Sequence, residues 1–233
     1  MRVNNNFITG KGERKSNQDV VFVNSLGGDN QIYLIADGMG GYEDGAYAAN
    51  FIVSNFFDVL KNQDEYNEEV IQSAIHEVTK SLILLNKKKE SKMGATLGGV
   101  IESSNEIHCF WLGDVKIWHV KNQQIAFESI DHNLKNELIQ NKVFVESSKA
   151  NKYNHVVTRA IQNDIKKVKI GYKCIGNFNH EDHIIMASDG VTDVLSNHSL
   201  LNCVNSPTTI HDKLSKIDDS LKRVAKDNYS LIL

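Results

Sequence analysis

A chain of 233 residues, 41% of them hydrophobic, can bury one substantial core, and a single domain spanning 1–233 is the expected organisation. A formal net charge of -3 and a pI near 6.3 offer no basic face of the kind that nucleic acid or an anionic membrane surface would need as a partner. No stretch approaches the roughly 18 apolar residues of a membrane span. Met1 to Thr9 lacks the apolar core of a signal peptide, so a cytoplasmic, monomeric protein is expected. Cys109, Cys174 and Cys203 are odd in number and widely spaced, without a Cys or His at zinc-ligand spacing, and read as reduced thiols.

In chain order, alternation and β-branched residues predict strands at Val20 to Asn24 and Gln31 to Ala36. Helices follow at Gly45 to Lys61 and Glu68 to Lys89. In the first of these, Ala49, Phe51, Ile52, Asn55, Phe56, Val59 and Leu60 recur at three- and four-residue steps, an apolar stripe suited to a sheet face. The basic run Lys87-Lys88-Lys89 reads as a solvated helix end. Strands at Ala95 to Glu102, Glu106 to Leu112 and Lys116 to Lys121 are joined by the short turns Ser103-Ser104-Asn105 and Gly113-Asp114-Val115, which suits a meander. The polar segment Asp131 to Tyr153, with a helix at Leu134 to Asn141, reads either as a surface flap or as an ordinary connection. Strands at Lys167 to Cys174 and His183 to Ala187, helices at Ser199 to Val204 and Thr209 to Lys226, and a strand at Tyr229 to Leu233 complete the chain. Regular βαβ alternation is missing, so the fold class is α+β, an antiparallel sandwich.

Four segments set an aspartate beside small or amide residues: Asn17-Gln18-Asp19, Ala36-Asp37-Gly38-Met39-Gly40-Gly41, Ser188-Asp189-Gly190-Val191-Thr192-Asp193 and Asp227-Asn228. An Asp-Gly pair alone is a common turn. Here each pair leads toward a helix rather than a returning strand, and the glycines at 38, 40 and 41 exceed what a hairpin requires. Glycines let a backbone carbonyl such as that of Gly38 approach an ion. Two carboxylates near 4 Å repel by about 4 kcal/mol at an effective dielectric near 20, so such a cluster makes sense with cations. All-oxygen donors select Mg²⁺ or Mn²⁺.

With Arg14-Lys15-Ser16-Asn17-Gln18-Asp19, Met93-Gly94-Ala95-Thr96, Trp111-Leu112-Gly113-Asp114, Asp131-His132 and Thr158-Arg159-Ala160 added in their order, the chain resembles the metal-dependent protein phosphatases of type 2C, or PPM, in their compact bacterial form. The resemblance runs from about Arg14 to Leu233. It implies a four-layer αββα sandwich, two antiparallel β-sheets flanked by helix pairs, with a two-metal Mn²⁺/Mg²⁺ centre. Carried over residue by residue, Asp37 bridges the metals and the Gly38 carbonyl binds one of them. Asp189 and Asp227 hold the other, Asp19 acts through water or in support, and Asp114 and Asp193 help bind a weaker third ion. Arg14 grips phosphate. The implied reaction is hydrolysis of phosphoserine and phosphothreonine on proteins by a hydroxide shared between the metals, with no protein nucleophile. The implied partners are phosphorylated protein substrates and a cognate Ser/Thr kinase that the enzyme opposes.

Met39 stands where animal-type relatives carry histidine, so the general acid is not named by the sequence. His132 reads as structural, and His108, His119, His155 and His183 as packed or surface residues. Thr96 reads equally as a residue facing the cleft or a buried strand threonine, and Trp111 and Trp118 as core. Gln162 departs from the family glycine. Two other readings stay open at this point, a catalytically silent phosphoprotein-binding regulator and a metal phosphoesterase acting on small molecules.

Overall fold

The computed structural model describes residues 6–40, 44–103, 106–143, 152–179 and 181–233, and the statements below concern those residues. Short edge strand β1 (Phe7–Gly10) precedes the hairpin of β2 (Asp19–Gly27) and β3 (Asn30–Met39). Helices α1 (Asp44–Leu60) and α2 (Glu68–Lys89) follow, then β4 (Gly94–Ala95), β5 (Leu97–Glu102), β6 (Glu106–Leu112), β7 (Lys116–Lys121) and β8 (Gln124–Glu128). The chain continues through α3 (Leu134–Gln140), β9 (Gly171–Gly176), β10 (His183–Ala187), the single turn α4 (Asp189–Thr192), α5 (Asn197–Val204), α6 (Ile210–Leu221) and β11 (Tyr229–Ile232).

Two antiparallel sheets result. One runs β2-β3-β5-β6-β9 with β4 paired to β3, and the other runs β1-β11-β10-β7-β8. Alternation along each strand sends one set of side chains between the sheets and the other toward helices. Ile35, Val100, Cys109, Trp111, Ile117 and Met186 fill the layer between the sheets. Leu34, Ile101 and Phe110 pack against Ile52, Phe56, Ile71 and Ile75 of α1 and α2. On the opposite side Trp118, Ile185 and Leu231 meet Leu200, Leu214, Ile217 and Leu221 of α5 and α6. The four-layer αββα sandwich is therefore the architecture.

Local chemistry accounts for the helix ends. Asn67 caps α2 by accepting from the Val70 amide at 2.9 Å, and Glu68 and Glu69 occupy its first turn. Lys87, Lys88 and Lys89 sit in its last turn, where the helix dipole favours cations. Thr209 caps α6 through the Asp212 amide at 3.1 Å. In α1 the buried stripe is Ala48, Ala49, Ile52, Val53, Phe56 and Leu60, while Phe51, Asn55 and Val59 flank it.

Several elements depart from expectation, each for a physical reason. The strand expected at Lys167 to Cys174 is a short 3-10 turn at Ile165–Lys167 followed by β9 from Gly171. Val168 and Ile170 are buried against α2, with the Gln72 side chain donating to the Val168 carbonyl at 2.8 Å and accepting from the Ile170 amide at 3.0 Å. Their alternation thus serves a helix contact, not a ladder. Strand β8 was not expected; it follows the two-residue turn Asn122-Gln123, both left-handed at φ 50° and 63°, which sequence marks far more plainly when glycine is present. Helix α6 stops at Leu221, short of Lys226, and the Ala225 carbonyl accepts from the Glu13 amide at 3.1 Å. Of the segment Asp131 to Tyr153, read as flap or connection, α3 is described and residues 144–151 lie outside the described residues.

One close approach tests the packing. Gly99 faces Phe110 across the β5–β6 ladder, and a Cβ there would lie 2.0 Å from the Phe110 ring, which itself packs 5.4 Å from the Phe56 ring. Gly99→Ala is expected to destabilise by about 1–3 kcal/mol through overpacking. The measurement is urea unfolding, with a lower midpoint and an unchanged slope.

Candidate metal centre

Antiparallel pairing brings the acidic residues to one end of the sandwich. Asp19 opens β2 and Asp37 lies near the end of β3, directly opposite it in register. Asp114 follows the end of β6, Asp189 follows the end of β10, and Asp227 precedes β11. Ala187 pairs with Lys116 at the start of β7 and Gly10 at the end of β1 pairs with Tyr229, so Arg14 enters at the same end. Strand direction alternates along each sheet, and residues far apart in sequence therefore share one rim.

Hydrogen bonds fix the inner half of this rim. The Ser230 amide donates to Ser188 Oγ at 2.9 Å, and Ser188 Oγ donates to Asp19 Oδ2 at 2.7 Å, a relay from one sheet to the other. The Asp37 amide donates to Thr96 Oγ1 at 3.3 Å, so Thr96, buried in the break between β4 and β5, holds the Asp37 backbone. Asn228 accepts from the Gln18 amide at 2.9 Å and donates to the carbonyls of Lys11 and Ser16 at 3.0 and 2.9 Å, stapling the β1–β2 loop to β11. Gly38 touches the start of α1 backbone to backbone: a Cβ on it would lie 2.2 Å from the Gly45 carbonyl oxygen.

Electrostatics within the rim are unfavourable without positive charge. Burial, then neighbouring carboxylates, pushes Asp37 well above the ordinary carboxylate range. Burial lifts Asp19 to about 6 against the hydrogen bond from Ser188. Burial also lifts Asp114 to about 6, with Asp131 and Asp193 adding to it, and Asp189 to about 8, with Asp114 and Asp227 adding to it. Asp19 Oδ1 is buried with no hydrogen-bond partner. An orphaned carboxylate oxygen among further carboxylates fits a hard divalent cation, whose preferred donors are oxygens.

The outer half is more open. Asp114, Asp131, His155, Asp189 and Asp193 line one polar cleft, and Arg14, His155, Asp193, Lys226 and Asp227 line the space beside it. Arg14 pairs with Asp227 at 2.5 Å while its side chain remains 61% exposed. Asp193 stands 4.0 Å from His155. His132 is packed: its Nδ1 accepts from the Gly113 amide at 3.2 Å, its ring stacks on Trp111, and burial, then Arg159, holds it down to about 4. Gln162 ties to the Lys92 carbonyl at 3.0 Å, away from the carboxylates.

All eight residues singled out from sequence, Arg14, Asp19, Asp37, Gly38, Asp114, Asp189, Asp193 and Asp227, stand at this end of the sandwich. Sequence reasoning missed His155, which it set among packed or surface histidines and which lines both parts of the cleft. It also left Asn228 without a role; the unusual Asp-Asn pair was the available signal.

The same architecture recurs in solved structures. The chain matches the S. agalactiae serine/threonine phosphatase with a TM-score of 0.87 at 23% identity, covering 97% of this chain and 96% of that one. It matches the catalytic domain of the serine/threonine protein phosphatase PstP, solved in complex with two manganese ions, with a TM-score of 0.79 at 17% identity over 97% and 94% of the two chains. Likeness at these identities establishes the fold of the chain. The serine/threonine phosphatase stp of Listeria monocytogenes is 28% identical over 222 residues, 89% of this chain and 85% of that protein. Residues 11–226 match the model of the family described as Protein phosphatase 2C, and the chain belongs to that metal-dependent family.

Raised carboxylates give a pH signature with a defined sign. Their pKa values in the folded chain lie above the unfolded value near 3.9, so their stabilising protonation is complete at low pH and is lost as pH rises through about 6 to 8. Metal-stripped protein is expected to lose melting temperature between pH 5 and pH 8. Millimolar Mn²⁺ should restore it, with a larger increment at pH 8, because protons compete with the cation. Scanning calorimetry with and without Mn²⁺ reads both effects, and an increment larger at pH 5 would contradict the assignment.

Proposed function

We propose that the chain is a metal-dependent serine/threonine phosphoprotein phosphatase working through the acidic rim, with 1–233 as its catalytic domain. The observation that carries this reading is the convergence of Asp19, Asp37, Asp114, Asp189 and Asp227 from both sheets on one cleft that Arg14 borders. Asp37, which feels Asp19, Asp189, Asp114 and Asp227, is the carboxylate that would hold the cations, Mn²⁺ or Mg²⁺, at the centre of the rim. The Gly38 carbonyl, Asp189 and Asp227 would complete the set of oxygen donors that holds them. Asp19 supports from behind, held by Ser188, and the more exposed Asp193 pairs with Asp114 at a weaker third position. Bound there, the cations supply Lewis-acid activation of water and neutralise charge on the phosphate.

Arg14 orients the phosphoryl oxygens through its planar fork of donors. Its present bond to Asp227 keeps the guanidinium at the cleft mouth and exposed, where an incoming phosphate can compete for its donors. The half-buried His132, held neutral, is committed to Gly113 and holds the Asp114 turn in place, and it is not among the residues that line the cleft. The substrate class is phosphoserine and phosphothreonine on proteins, supplied by a Ser/Thr kinase that the enzyme opposes. Cys109, Cys174 and Cys203 are free, which fits a reducing cytoplasm, and we read the chain as a monomer there. Among the described residues no helix is long and apolar enough to cross a membrane.

Assays with an aryl phosphate and Mn²⁺, followed by phosphoserine, phosphothreonine and phosphotyrosine peptides, test this. Turnover of the first two peptides with little of the third is expected. Silence on every substrate would point to a binding module, and strong preference for a metabolite would point to a small-molecule esterase. Asp37→Asn and Asp189→Asn should each reduce turnover by at least about 100-fold. Arg14→Ala should lower kcat/KM by about 10- to 100-fold, the equivalent of a lost charge-assisted hydrogen bond of roughly 1.5–3 kcal/mol.

A further inference from the structure

A second cluster of ligand-type side chains lies at the other end of β6. Glu106 and His108 are two residues apart on one face of that strand, and the β6–β9 register sets Cys174 directly opposite His108. One carboxylate oxygen, one imidazole nitrogen and the Cys174 sulfur all lie within 4.8 Å of one another. His108 Nε2 stands 3.7 Å from Glu106 Oε2, and His108 Nδ1 is 2.9 Å from the Tyr172 hydroxyl. Tyr172 thereby holds the ring with Nε2 turned toward the Glu106 carboxylate. Ligating histidines are held in this way, one nitrogen for the ion and the other for an orienting hydrogen bond.

We propose that Glu106, His108 and Cys174 form a site for a borderline-soft divalent cation of the zinc class, with Tyr172 as the residue that positions His108. Zinc bonds of about 2.0–2.3 Å in a tetrahedron put neighbouring ligand atoms roughly 3.3–3.6 Å apart. The cluster needs side-chain shifts of little more than about 1 Å to reach that spacing, and Glu106, the exposed member, has room to make them. Water completes the tetrahedron on that open side. Thiolate and imidazole prefer zinc-class ions over Mg²⁺ or Mn²⁺, so this site and the all-carboxylate rim select different metals. Burial keeps His108 below the usual histidine range and neutral, as a ligand must be. Burial, then Glu106, keeps the Cys174 thiol protonated, so cation binding releases that proton to solvent as the metal–sulfur bond forms. The seven residues of β6, at about 3.3 Å each, separate this cluster by roughly 20 Å from Asp114.

Titration of the full-length, reduced chain with Co²⁺ is the direct test, because only a sulfur ligand gives a near-ultraviolet sulfur-to-cobalt charge-transfer band and the carboxylate rim gives none. The expected result is a band that saturates at one ion, is displaced by Zn²⁺ and resists Mg²⁺. Cys174→Ser should abolish the band while leaving Mn²⁺-dependent turnover intact, which also reports an intact fold. Cys109→Ser and Cys203→Ser should retain it, and Tyr172→Phe should weaken Co²⁺ binding about 10-fold with the band preserved. No band in the unaltered chain, a band surviving in Cys174→Ser, or a band lost in Cys203→Ser would each overturn the proposal.

Discussion

Carboxylates from both sheets are held within one half-buried rim, and their mutual repulsion is the constraint that the surrounding structure answers. Two ionised carboxylates near 4 Å would work against folding by about 4 kcal/mol at an effective dielectric near 20. The rim persists because the backbone around it is held independently: Asp19 and Asp37 lie opposite each other in the β2–β3 ladder, and Ser188 and Ser230 bond Asp19 to the second sheet. Positive charge at this point would relieve that repulsion.

That constraint divides the cleft into two halves with different mechanical character. Asp19, Asp37, Asp114 and Asp189 rest on strand ends or on the turn that follows one, where ladders set position closely. Arg14, His155 and Lys226 lie in connecting segments and line the more open side of the cleft. Charge activation requires fixed geometry, whereas gripping phosphates on varied protein surfaces tolerates adjustment. Asn228 joins the halves, since its amide ties the loop that carries Arg14 to the strand that follows Asp227.

Legibility in the sequence followed the range of the interactions involved. Helices α1 and α2 were readable because burial against one sheet imposes a repeat within each segment, and the terminal lysines mark the end of α2. The acidic residues were readable through their immediate neighbours, Gly38 beside Asp37 and Gly190 beside Asp189. Val168 and Ile170 were misread because burial against α2 copies the alternation of a strand, and β8 was missed because its turn lacks glycine. His155 carries no local signal; its importance arises only from lying beside Asp193 and Arg14.

The chain's own pattern determined an antiparallel α+β sandwich and marked the acidic residues that gather at one end of it, because both rest on residue type and short-range spacing. Tertiary structure alone decided that Arg14 meets Asp227, that Ser188 bridges the sheets to Asp19, and that Cys174 faces His108. Those contacts join residues scores of positions apart. Register between strands from distant segments is settled only when side chains on both faces pack together, and no local property of the sequence records that outcome.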